Sequence, residues 1–310
     1  MPVSDVLSVD VEDYFQVDAF SQVVSPAQWD RYPSRVSSNT HRVLDLMDEC
    51  GVRGTFFILG WIADRDPALV REIVTRGHEP ACHSYWHRRV YTLDPEEFRK
   101  DTLRAKAAIE QACGREIHGY RAPSFSLTAR SLWAAEILVE SGFDYDSSIF
   151  PIYHDVYGMR EAPRRPFRLR TASGWLSEYP LGTCRLHEKV NLPVGGGGYL
   201  RILPFWYTRF CLARLRAEGT PLIAYVHPWE LDAEQPRLEA SLKSRLRHYT
   251  GLRGMQTKLL GLIRLGRFTS FQAIQTEQSS AAGKLEVIDV RCHQRRHDEG
   301  RRAVLEPDRS

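Results

Sequence analysis

The chain of 310 residues has six cysteines, at Cys50, Cys82, Cys113, Cys184, Cys211 and Cys292, but no C-x-x-C pair among them. With no disulfide-framework spacing, reduced thiols are expected. No apolar stretch approaches the roughly 20 residues of a bilayer-spanning helix. The segment Met1-Pro2-Val3-Ser4-Asp5 carries no basic stretch, and the apolar run after it is too short for a signal peptide. A cytoplasmic location is therefore expected. The net charge of +3 is too small to point to nucleic acid. There is no internal repeat. The glycine run from Gly195 to Gly198 lacks the spacing of a phosphate-binding loop. It reads instead as a tight turn or a close backbone approach to a cleft, with Tyr199 beside it as a candidate substrate-contacting ring.

The apolar fraction of 43% and the charged fraction of 26% are those of a globular chain. Strand and helix signals alternate through the first three quarters. Val6–Asp10, Thr55–Leu59, Glu79–Cys82, a short stretch before Arg121, the region around Tyr145, Trp175–Tyr179 and Leu222–Val226 read as strands. Between them lie helices with recognisable ends: one capped by Ser38 and stopped by Gly51, one opened by Asp66-Pro67 and closed by Gly77, one with a capping box at Asp94 and Glu97 and Gly114 behind it. Further helices are expected from about Thr128 to Ser141 and from Pro204 to Glu218. This alternation predicts an α/β fold of parallel strands with crossover helices. We expect a catalytic domain over residues 1–235 and a C-terminal helical extension over 236–274, with basic amphipathic helices between Arg237 and Arg267 and a last short strand at Thr269–Phe271. From about Gln275 to Ser310 the composition predicts a poorly ordered tail.

Polar residues fall where chemistry would need them. Asp10, His83, Arg121, Asp146 and His227 each sit at or just past the C-terminal end of an expected strand, and in a β/α barrel those ends share the catalytic face. His83 and His87, four apart on a short turn, can close on one metal ion. A carboxylate completes three ligands and leaves positions open, as in hydrolytic rather than structural sites. Glu12 is the first choice, because it shares a strand face with Asp10; Asp13 is the alternative, reached if the chain turns at once. Zinc suits these ligands best, with cobalt, nickel or iron also accepted. Asp10 is then free to act as general base, Arg121 to pair with it and orient it, and His227 to protonate a departing amine. Asp146 is a candidate support for His227. Trp86 and Trp229 are candidate rings for stacking on a pyranose.

Asp10-Val-Glu12-Asp13, His83-Ser-Tyr-Trp-His87, Arg121-Ala-Pro123 and Val226-His227-Pro228 resemble the ordered motifs of carbohydrate esterase family 4, the polysaccharide deacetylases, over about residues 3 to 230. Ser8-Val-Asp-Val-Glu-Asp-Tyr-Phe15, Gly196-Gly-Gly-Tyr-Leu-Arg201, His227-Pro-Trp-Glu230 and Arg247-His-Tyr249 are similar to the exosortase-associated, exopolysaccharide-locus branch. The resemblance implies a distorted (β/α) barrel and hydrolysis of N-acetyl groups on hexosamine residues of an exopolysaccharide or its lipid-linked precursor. It puts the base on Asp10, the metal histidines on His83 and His87, the base-orienting arginine on Arg121 and the acid on His227. The first motif departs from the commoner pair of adjacent aspartates. It is closer to the branch of peptidoglycan deacetylases and allantoinases, some of which work without metal. A metal-free cyclic-amide hydrolase and a non-catalytic glycan-binding protein of a polysaccharide assembly system are the rival readings. The basic region from Lys243 to Arg267 is compatible with peripheral contact at a membrane complex.

Overall fold

The computed structural model describes residues 4–154, 156–187, 190–279 and 285–290. The chain runs β1 (Asp5–Val11), α1 (Val36–Glu49), β2 (Thr55–Ile58), α2 (Gly60–Arg65), α3 (Pro67–Thr75), β3 (Glu79–Cys82), α4 (Pro95–Cys113), β4 (Gly119–Tyr120), α5 (Ala134–Glu140) and β5 (Tyr145–Asp146). It continues with β6 (Phe167–Arg170), β7 (Trp175–Glu178), β8 (Thr183–His187), β9 (Val190–Pro193), α6 (Gly197–Ile202), α7 (Phe205–Ala217) and β10 (Ile223–Val226). Last come α8 (Leu242–Tyr249), α9 (Leu252–Leu265), β11 (Phe268–Thr269), α10 (Phe271–Ser279) and β12 (Glu286–Asp289).

The main sheet has the order β10-β1-β2-β3-β4-β5-β7-β6-β12, with β11 also paired to β1. Its ladders are parallel except β6–β7. Among the described residues no ladder joins the two end strands, and β8 and β9 form a separate hairpin. Strand alternation separates two interiors. Val6, Phe57, Ala81, Tyr145, Ile223 and Tyr225 fill one face of the wall. Leu7, Val9, Phe56, Ile58, Cys82, Ala224 and Val226 point the other way, into the core shared with the helices. On β1 the first face therefore carries Val6, Ser8 and Asp10 in succession, which puts a carboxylate at the end of an apolar strand.

Register aligns the strand ends. Val11, Ile58, Cys82, Tyr120 and Asp146 are successive partners across five strands, so Glu12, His83, Arg121 and Ser147 emerge together at one rim. Val9 pairs with Val226, which brings His227 beside Asp10.

Two helix caps are as expected. Asp66 accepts from the Leu69 N–H at 3.0 Å, and Asp94 and Glu97 form a reciprocal box. Helix α1, however, starts at Val36 and is not capped by Ser38, because the Asp13 carboxylate takes the N–H groups of Arg35 and Val36 at 2.8 and 3.1 Å. Two stretches of the expected tail are described, and both are folded. Residue 275 lies inside α10, whose Phe271 and Ile274 are buried in the inner face of the wall, and Glu286–Asp289 extends the sheet edge against β6. Within that tail, residues 280–284 and 291–310 lie outside the described residues.

Candidate active site

The turn after β3 is strained. Ser84 and His87 have φ of 63° and 51°, and Ser124 and Phe125, beyond Arg121, have 54° and 52°. These are the non-glycine residues with positive φ among those described, each costing about 1–3 kcal/mol. Side chains hold the first turn in place. Asp101 of α4 accepts the N–H groups of Tyr85 and Trp86 at 2.9 and 3.3 Å, and the His87 N–H donates to Ser84 Oγ at 3.1 Å.

The strain turns both imidazoles toward Glu12. One donor atom from each of Glu12, His83 and His87 lies within 4.8 Å of the others. His87 Nε2 is 2.8 Å from Glu12 Oε2, a contact in which burial would lower the imidazole but the carboxylate outweighs it and holds the ring above its usual range. His83 Nδ1–H donates to the Arg121 carbonyl at 2.8 Å, which leaves Nε2 as its free lone pair. Burial pushes His83 down to about 4, so the ring is neutral near pH 7. Burial alone would raise Glu12, but the imidazoles of His87 and His227 outweigh it and hold the carboxyl down to about 2. Two imidazoles and one carboxylate fit a divalent metal ion.

Arg121 is fully buried and serves twice. Its carbonyl orients His83, while its Nη1 donates to Asp10 Oδ1 and Ser8 Oγ, each at 2.7 Å. The guanidinium rests in a socket made by the Ser147 carbonyl and hydroxyl, both at 2.8 Å. Behind the socket, Asp146 and Glu178 are cross-strand partners with facing, otherwise unpaired oxygens. Burial and the Asp146 charge push Glu178 well above the usual carboxylate range, so Glu178 keeps its proton and donates it to Asp146. The free ends of the pair accept Ser148 Oγ–H at 2.5 Å and the Ile149 N–H at 2.9 Å.

On the other side of Asp10, His227 Nε2 is 3.9 Å from Asp10 Oδ2 and 3.5 Å from Glu12 Oε1. Its Nδ1 meets Glu230 at 3.1 Å, and Glu230 in turn accepts from Arg201 Nε at 2.9 Å. Arg201 is locked by the carbonyls of Arg247, His248 and Thr250. Burial would lower His227, but Glu12, Glu230 and Asp10 outweigh it and hold the imidazole up to about 9. The support of His227 is thus Glu230, three residues on. Asp146, the candidate named from the sequence, is spent on Glu178 and Ser148. Sequence reading singled out Glu230 and Arg201 only as parts of motifs; the i,i+3 spacing after a strand end was the available signal.

The other candidates separate. Asp13 is turned away, its oxygens filled by Ser34 Oγ–H and by the N–H groups of Tyr14, Arg35 and Val36, so it does not join the donors. Trp229 lines the site but is buried in it: its N–H donates to Glu12 Oε1 at 3.1 Å and its ring is stacked with His227 and His248. Trp86 packs on Trp29 and faces a neighbouring cleft. Tyr199 does line the site, with its hydroxyl 3.1 Å from that of Tyr157. The cavity holding Asp10, Glu12, both metal-site histidines and His227 measures about 440 Å³.

Residues 27–139 match the model of the polysaccharide deacetylase family. Residues 147–276, which include Arg201, His227 and Glu230, match a domain family of unknown function (DUF3473). The chain is 32% identical to a chitooligosaccharide deacetylase of Bradyrhizobium sp. (strain ANU 289) over 102 residues, 33% of this chain and 44% of that one. It is 28% identical to a peptidoglycan-N-acetylglucosamine deacetylase of Bacillus cereus over 98 residues, 31% of this chain and 36% of that one. It thus spans less than half the length of these curated relatives. A crystal structure of a candidate polysaccharide deacetylase from Mycobacterium smegmatis superposes with a TM-score of 0.62 at 21% identity, covering 92% of this chain and 93% of that one. Another, from Pseudomonas aeruginosa PAO1, gives 0.59 at 16% identity, covering 90% and 91%. At such identities the likeness shows the fold.

Proposed function

We propose, from the premise that the chain carries a polysaccharide deacetylase domain, that it hydrolyses N-acetyl groups on hexosamine residues of a glycan, with one divalent metal ion held by Glu12, His83 and His87. The observation that carries this reading is the convergence of three metal donors with two further groups that are not donors, Asp10 and His227, on one cavity. When bound, a divalent ion supplies Lewis acidity toward the acetamide carbonyl and acidifies water. Zinc suits the donors best, and cobalt, nickel or iron are compatible with them.

Asp10, held by Arg121 through one oxygen, takes the proton of the attacking water with the other. His227, protonated near neutral pH, gives its Nε2 proton to the departing amine, and the C–N bond breaks to leave acetate and a free amino sugar. Glu230 and Arg201 keep that ring oriented and charged. Tyr199 and Tyr157 offer a wall for the sugar. We assign the substrate to an exopolysaccharide or its lipid-linked precursor, on the resemblance of the Asp10 and His227 segments to that branch. The test is acetate release from a panel of N-acetylated oligosaccharides, with chelator and with added Zn²⁺. Release that stops with chelator and returns with metal supports the reading; turnover indifferent to chelator, or none on any N-acetylated glycan, rejects it.

A further inference from the structure

The mouth of the cavity is lined on one side by α6 and α8: Tyr199 and Ile202 come from the first, Arg247 and His248 from the second. These two helices and their neighbours α7 and α9 have an unusual charge. They carry one, three, three and three Lys or Arg residues in chain order and no Asp or Glu; Arg201 is spent on Glu230, Arg216 on Asp5 and Lys258 on main-chain carbonyls. Basic helices of this kind are commonly solvated faces with buried apolar stripes. Here large apolar side chains point outward as well. Ile202, Trp206 and Phe210 are 48%, 68% and 44% exposed, and Leu242 and Leu246, one turn apart on α8, are 71% and 58% exposed. Each helix sets an exposed cation between its apolar residues, Arg209 between Trp206 and Phe210 on α7 and Arg245 between Leu242 and Leu246 on α8.

The helices are firmly joined to the site. Arg201 of α6 donates to the carbonyls that end α8, and Lys258 of α9 donates to the carbonyls of Arg201 and Leu203 at 2.8 Å. Helices that mix exposed aromatic and aliphatic side chains with cations, and carry no anion of their own, complement an anionic bilayer: apolar groups enter the headgroup boundary while Arg and Lys meet lipid phosphates. A soluble acidic partner would match the charge and leave the aromatic groups unexplained.

We propose that the outer face of α6, α7 and α8 seats on an anionic lipid surface, so that the cavity mouth opens toward glycan chains anchored there. The seating stands without the deacetylase reading; only the identity of the anchored substrate rests on it. No helix among the described residues is long and apolar enough to cross a membrane, so the contact is peripheral.

The test is cosedimentation of the full chain with phosphatidylcholine vesicles, with and without phosphatidylglycerol, for the unaltered protein, Trp206→Ser, and Arg209→Glu/Arg245→Glu. Binding to the anionic vesicles, released by salt, is expected. Loss on the order of tenfold or more is expected for the charge reversal, from two cations near the surface, with a smaller loss for Trp206→Ser. Unchanged melting temperatures and unchanged kcat/KM on a soluble N-acetylated oligosaccharide should accompany both, since none of the three residues is in the cavity. Absence of vesicle binding, equal binding to neutral vesicles, or variants that bind as well as the parent would overturn the proposal. So would association of copies through these residues without lipid. Failure of acetate release with vesicle binding intact would reject the proposed activity and leave the docking standing.

Discussion

His83 and His227 face the same cavity and are held in opposite protonation states. His83 donates to the Arg121 carbonyl, and its burial outweighs the Asp10 and Glu12 charges and pushes it down to about 4. His227 is half-buried at the cavity, and the carboxylates of Glu12, Glu230 and Asp10 hold it up to about 9. The metal-donor half is oriented by main-chain groups and a strained turn; the acid half is oriented by a relay of charged side chains, Arg201 to Glu230 to His227. Surroundings that drive two like groups apart would divide the labour in the proposed function, one to ligate and one to carry a proton.

Asp10 stands between the halves, and its loss should have the largest effect. Asp10→Asn is expected to lower acetate release by roughly two or more orders of magnitude while metal content stays near that of the parent. Loss of metal instead would make Asp10 a ligand and erase the division. On the acid side, His227→Ala should slow an amide by about 10²–10⁴ and an activated acetate ester far less, because a phenolate leaves without a proton. Equal losses in kcat/KM on the two substrates would make His227 structural.

Glu230→Gln sharpens the comparison. It keeps the shape of the relay and removes a charge that holds the His227 proton, so the pKa of the acid should fall. An acid must be protonated to act, and the alkaline limb of kcat should therefore move to lower pH; an unmoved limb would place the source of that charge elsewhere.

The smallest effect is expected behind the socket, at Glu178. Its folded pKa lies above the unfolded value near 4.5, so its contribution to stability is complete below that value and falls as pH rises toward the folded pKa. Glu178→Gln, which still donates to Asp146, should flatten that decline in denaturant melts and leave turnover almost unchanged. Glu178→Leu should cost roughly 1–3 kcal/mol by leaving a buried acceptor unpaired. Identical pH slopes for parent and Gln variant would mean that the pair does not share a proton.

The donor half was the more legible in the sequence, and for a physical reason. Asp10, His83 and Arg121 each follow a strand of apolar residues, and parallel register brings strand ends to one rim whatever the helices between them do. Strand alternation favoured Glu12 over Asp13 without excluding Asp13; what takes Asp13 out of the donor set is its capping of α1, an interaction across more than twenty residues. The relay was not legible either: Arg201 reaches Glu230 from a six-residue helix that begins in a glycine run. At the C-terminal end, Phe271, expected to close a short strand, instead opens α10, and with Ile274 it enters the wall beside Tyr145 and Tyr179.

The central claim is that Glu12, and not Asp13 or Asp10, joins the two histidines as a metal donor. Elemental analysis of the purified chain beside Glu12→Gln and Asp13→Asn tests it most directly. The account predicts about one divalent ion per chain in the parent and in a folded Asp13→Asn, and little in Glu12→Gln at an unchanged far-UV spectrum. Full metal content in Glu12→Gln, or its loss from Asp13→Asn alone, would contradict it.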